Sequence, residues 1–183
     1  MSSILPRHAL RTGLVTLLML AASGGVSLSA PPIETLDALG GAMPVQATEA
    51  TIGANDLETI TEIARGYGEA ELTTVDNGDP VIVGEMNAIS YQLFFLDCTA
   101  NRDCRVLDFY AIWDTPGVEL AVVNDWNRTQ PFHKAYLGED GLPVIELNLS
   151  TVGGMTRAQL VDAFDRWAVA LAEFQRSVVE AAL

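Results

Sequence analysis

Cys98 and Cys104 are the only cysteines of the chain, and a five-residue polar loop, Thr99 to Asp103, separates them. Thiols at such a spacing can be bridged, can hold a metal or can cycle between redox states. The spacing is not Cys-x-x-Cys, and no histidine lies nearby to lower a thiol pKa or complete a ligand set. If the two close adjacent strands of an antiparallel pair, their Cα atoms fall within disulfide reach, about 4.4 to 6.8 Å. A structural disulfide is therefore expected, worth ~2 kcal/mol for so short a loop.

The other reactive side chains do not assemble. His133 is the one histidine outside the first ten residues, and it reads as a surface or packing residue on a strand. There is no Gly-x-Ser-x-Gly element, so no nucleophile–base pair is recognisable. Carboxylates are plentiful, but none forms a pair whose sequence context would raise a pKa as glycoside hydrolysis requires. The acidic runs Asp76 to Asp79 and Glu139-Asp140-Gly141 lack the alternating oxygen ligands of an EF-hand and read as turns. No catalytic residue, cofactor site or metal site is assigned. These residues point to a non-catalytic protein- or peptide-binding module. A structural envelope protein, or an enzyme of unrecognised type, is the alternative.

The elements that would present such a module follow from the pattern of the chain. Arg7, His8 and Arg11 precede the apolar run Gly13 to Ala22, and Ser27-Leu28-Ser29 places small residues where a signal peptidase reads. Residues 1–30 are read as a signal peptide cut near Ser29 or Ala30, since the apolar run is too short to span a bilayer. The mature product is then periplasmic or secreted, with no membrane span. Its 24 acidic and 8 remaining basic residues repel nucleic acid and anionic lipid, which leaves proteins, basic ones above all, as partners. Residues 31–54, rich in Pro, Gly, Ala and Thr, are read as a flexible linker.

The domain proper is read over residues 55–183. Asn55 opens a helix with a capping-box-like Glu58, and Leu57, Ile60, Ala64 and Tyr67 share one face. Strands are expected over Ala70 to Val75, Pro80 to Met86, Ile89 to Cys98 and Cys104 to Trp113, the first pair joined at Asp76-Asn77-Gly78-Asp79. Ile89 to Cys98 is apolar on both faces at its centre, as for a strand covered on both sides. Thr115-Pro116 is read as the start of a second helix that Pro131 stops. The polar run Asn124-Asp125-Trp126-Asn127-Arg128 is expected to fix its end by side-chain hydrogen bonds. A hairpin follows, Phe132 to Leu137 and Leu142 to Leu149. In the last helix Thr156 is the N-cap and Gln159 completes a capping box. There Leu160, Phe164, Trp167, Leu171, Phe174 and Val178 form one apolar stripe, which either packs on the sheet or makes a helix–helix dimer seam. The fold class is α+β, an antiparallel sheet of about five to six strands flanked by helices.

The ordered series Tyr91, Phe94-Phe95 and Cys98, then Asn124 with Trp126-Asn127-Arg128, Phe132 with Lys134-Ala135-Tyr136-Leu137, Asp140-Gly141 with Pro143-Val144, and Gly153-Gly154, resembles the YbjN-domain family of bacterial proteins. Ala88 stands where the resemblance implies a glycine. With its flanking helices the likeness covers about 125 residues. It implies a fold similar to type III secretion chaperones and a sensory, regulatory or protein-binding role, with no catalytic residues to carry over. On this reading the apolar surface that docks a partner, or a second copy in a homodimer, is made by the sheet or a helix. Trp126, Trp167, Leu171 and Phe174 are the candidate residues.

Overall fold

The computed structural model describes residues 50–183. The signal peptide and most of the linker read from the sequence lie outside the described residues. Of the linker's last residues, Ile52 exchanges two backbone hydrogen bonds with Met155 (2.7 and 2.8 Å) and Ala54 is buried. The packed domain thus begins a few residues before Asn55.

The order of elements is α1 (Leu57–Arg65), β1 (Glu69–Thr74), β2 (Pro80–Met86), β3 (Ile89–Leu96), β4 (Val106–Ile112), α2 (Leu120–Thr129), β5 (Lys134–Leu137), β6 (Pro143–Ser150) and α3 (Arg157–Phe174), which continues as a π turn over Gln175–Val179. The six strands form one antiparallel sheet in the order β1-β2-β3-β4-β6-β5. The first four strands are a meander of local turns. Strand β6, not its predecessor β5, pairs with β4, so the last hairpin turns back and leaves β5 at the edge.

Strand alternation sends one set of side chains toward the helices. Leu93 and Phe95 of β3, Leu107 and Phe109 of β4, and Ile145 of β6 are all fully or nearly buried. The apolar stripe of α3 meets them. The Phe109 ring packs edge-on against Phe164 (4.9 Å) and at a tilt on Trp167 (5.6 Å). Phe174 sits between Trp113 and Trp126, each 5.0 Å away. The six stripe residues are all buried, so the stripe packs on the domain's own sheet. Helix α3 starts as its sequence dictates: Thr156 accepts from the Gln159 amide and the Gln159 side chain returns the bond.

Local chemistry moves several boundaries away from expectation. Asp56, not Asn55, is the residue before α1, and no side chain caps that helix. The Asp56 carboxylate instead accepts from the Gly53 amide (2.6 Å), closing the turn that leads in, and Asn55 reaches across to Asp103. Helix α2 begins at Leu120, not at Pro116, because Gly117 adopts φ +95° and breaks the helical run. Strand β3 stops at Leu96 because Asp97 has φ +55°. His133 lies just before β5, in the turn that joins it to α2. The end of α2 is fixed as its polar run suggested. The Asn127 side-chain amide gives one hydrogen bond to the Ala135 carbonyl and takes one from its N–H, both at 2.8 Å. It thereby covers the outer edge of β5, where bare backbone would invite another strand.

The β3–β4 loop folds back on itself through Thr99 and Arg102. Cys98 and Cys104 are at disulfide distance, S–S 2.08 Å, with Cα atoms 3.8 Å apart, closer than anticipated because of this fold-back. From the same loop Asn101 donates to the Asn77 carbonyl (2.9 Å) and to Asp79 (3.0 Å), tying it to the β1–β2 turn.

Candidate functional site

The residues that alternate with the core set face away from all three helices, and among the described residues no element covers them. Strand β3 is therefore not sandwiched as its apolar centre suggested. Its second face, Ser90, Gln92, Phe94 and Leu96, is exposed or half-buried. Phe94 is shielded only by its neighbours, edge-on to Tyr110 at 5.8 Å. The same face carries Glu69 and Glu71 from β1, Val83 and Glu85 from β2, Asp108, Tyr110 and Ile112 from β4, Glu146 from β6, and Lys134 and Tyr136 from β5.

Two features stand out on it. The first is a groove of about 680 Å³ across strands β1 to β4. Its walls are Glu69, Glu71, Glu85, Gln92, Tyr110 and Ile112. Its floor includes Gly84, where a side chain would collide with the Tyr91 ring (2.7 Å) and the Glu69 carbonyl (2.6 Å). The glycine leaves room for the buried Tyr91 ring beside β2. The second feature is a cluster of titratable groups on β4, β6 and β5. Lys134 and Glu146 are cross-strand partners and form an ion pair, and the Tyr136 hydroxyl donates to the same carboxylate. Tyr110 is the partner of Glu146 on the other side. Asp108, two residues before Tyr110, is only 8% exposed, and its Oδ1 is buried with no hydrogen-bond partner.

The electrostatics follow from this crowding. Burial pushes the Asp108 carboxyl up to about 6, the Glu146 charge adds to the rise, and Lys134 opposes it. Burial and the neighbouring carboxylates also raise the Tyr110 and Tyr136 hydroxyls, so both stay protonated donors at neutral pH. The outcome is an anion-rich face with one ammonium, already paired.

The residues singled out from the sequence lie elsewhere. Trp126, Trp167, Leu171 and Phe174 are inside the domain, the last three with no exposed surface, and as folded they offer nothing to a partner. His133 is half-buried beside Trp167, with its pKa lowered by burial and by Arg166. The sequence reading missed the carboxylate pair Asp108 and Glu146, which only the β4–β6 pairing brings together. A signal was present. Each is the one acid of its strand, VLDFYAI and PVIELNLS, with apolar residues just before it. Among the described residues no group of three or more His, Cys, Asp or Glu is placed to hold a metal, and no helix is long and apolar enough to cross a membrane.

Helices on one side and an uncovered, grooved sheet on the other define a small two-layer α+β domain. Residues 56–180 match the family model YbjN, described as "Putative bacterial sensory transduction regulator". The chain belongs to the YbjN family. No curated protein matches the sequence.

Proposed function

We propose that this chain is a non-catalytic protein- or peptide-binding module of the bacterial cell envelope, with a sensory or regulatory role, and that the open sheet face is where its partner docks. The uncovered face carries this reading. Val83, Phe94, Tyr110 and Ile112 give this otherwise acidic face an apolar centre, and apolar surface rimmed by polar groups marks an interaction site. The family description supports a regulatory role. The disulfide-distance cysteines and the basic, apolar and small-residue order of the first thirty residues support export to an oxidising compartment.

Crosslinking and recovery of a tagged chain from envelope extract test the docking surface directly. The double variant Gln92→Arg, Ile112→Asp places charge in the groove, and Val169→Asp places it on the exposed helical side. The reading expects the first to lose a partner that the wild type and the second both retain. Equal recovery by all three rejects it. Intact mass of the recovered chain tests export, with cleavage near Ser29 or Ala30 expected and retention of Met1 to Ala22 rejecting it.

A further inference from the structure

We propose that the groove on the open face binds a cationic segment of a partner protein, one in which arginine or lysine alternates with apolar residues. This deepens the docking reading above and rests on it. Charge complementarity selects the occupant. Glu69, Glu71 and Glu85 are exposed along one wall of the groove, and Glu69 and Glu85 are cross-strand partners with like charge. Like charges directly opposite each other destabilise a sheet, so an ammonium or guanidinium placed between them is favoured on electrostatic grounds. No basic side chain lines the groove. Lys134, the cation across the face, is already committed to Glu146.

A second, independent observation points the same way. Asp108 Oδ1 is buried and unpartnered, and a buried acceptor without a donor carries a standing cost. It lies two residues along β4 from Tyr110, a groove wall, so the two Cα atoms are about 7 Å apart. A guanidinium entering over the Tyr110 ring gains a cation–π contact, and donates to Asp108, which lies outside the groove lining, by displacing the ring that shields it. Ile112 and Val83, on the same walls, supply apolar contact for the residues that alternate with the cation. The alternation matches an extended segment lying on the sheet, since only every second side chain would point down.

The test uses the purified chain and a fluorophore-labelled, end-blocked peptide of alternating arginine and valine, with a counterpart carrying glutamate for arginine. Anisotropy is read at low and at raised salt. The arginine peptide should bind, more weakly as salt rises, and the glutamate peptide should not. The triple variant Glu69→Gln, Glu71→Gln, Glu85→Gln should weaken binding at least tenfold. The control triple Glu58→Gln, Glu62→Gln, Glu180→Gln, which removes the same charge from exposed sites off the groove, should stay within twofold of wild type. Asp108→Asn should weaken binding several-fold with the fold intact by circular dichroism. Equal loss in the two triples would show attraction to net charge alone and overturn the proposal. Equal binding of the two peptides also overturns it. If the peptide fails while partner recovery still depends on Gln92 and Ile112, the occupant is wrong and the docking face stands; if recovery is insensitive too, both fall.

Discussion

Replacing Asp108 with asparagine keeps the shape of the side chain and removes its charge. The folded domain holds this carboxyl at about 6, against an ordinary value of 3.8. The groups facing it are Glu146 from β6, which raises it, and Lys134 from β5, which lowers it, with Phe94 and Tyr110 shielding it from water. A carboxyl raised on folding is favoured in its protonated form. Between the two pKa values the folded state binds more protons than the unfolded chain, so stability falls as pH rises through that window. The full gap corresponds to about 3 kcal/mol of extra cost for the ionised form at neutral pH. Half a proton or more is already bound below pH 6, and integration from pH 8 to pH 5 gives about 1.4 kcal/mol of stability gained by the wild type. The carboxamide of the Asp108→Asn variant does not titrate and gains none of it.

The comparison of the two proteins isolates this effect from every other titrating group. Urea unfolding is measured for each at pH 8 and pH 5. With a slope of about 2 kcal/mol per molar, the wild-type midpoint should move up relative to the variant by about 0.7 M on going to pH 5. The variant should be the more stable of the two at pH 8. An identical pH response in both proteins would mean that Asp108 titrates as an ordinary carboxyl. Relative loss of wild-type stability at pH 5 would mean that it is held ionised by an unseen favourable contact. Either result refutes the electrostatic account of the face.

Other expectations follow from single positions. Ala88 sits at φ +61° beside Asn87 at φ +53° in the β2–β3 turn, a conformation costing about 1–2 kcal/mol for an L-residue, so Ala88→Gly should stabilise by about 0.5–1 kcal/mol once glycine's greater chain entropy is deducted. Thermal unfolding followed by circular dichroism checks it, and a lower midpoint would contradict the turn geometry. Phe174→Ala should cost about 3–5 kcal/mol, since the side chain is wholly buried between two tryptophans, and Phe174→Asp should unfold the domain. A folded Phe174→Asp protein would place the stripe at an interface. The Cys98→Ser, Cys104→Ser double variant should lose about 2 kcal/mol, measured against the oxidised parent, and alkylation of the parent without reduction should label neither cysteine.

Much of the fold was legible because its signals are local. The capping box at Thr156 and Gln159 and the stripe that follows define α3 from sequence, and Pro80–Met86 needed no revision as a strand. Turn residues placed the hairpins. The errors fall where one residue's backbone state overrides a pattern. Pro116 suits the start of a helix, but Gly117 in a left-handed state postpones α2 to Leu120. Asn55 suits the opening of α1, but Asp56 is the residue before the helix and its carboxylate is used by the turn that leads in.

The site was harder to read because it is made by pairing between strands far apart in sequence. Alternation shows that Asp108 shares a face with Tyr110, and Glu146 with Val144, but not that the two strands are neighbours. That depends on β6 turning inward past β5, a choice that Asn127 favours by occupying the outer edge at Ala135. The apolar centre of β3 misled in the same way. Leu93 and Phe95 are buried on the helix side, while Phe94, between them, is half-buried among its neighbours on the sheet, Tyr110 included. Identical residue types thus stand on a covered and an uncovered face, and only the placement of the helices distinguishes them. All the strong aromatic contacts of α3 are spent on the covered face. On the other face carboxylates and aromatic rings alternate, and one buried acceptor, Asp108, is left without a donor.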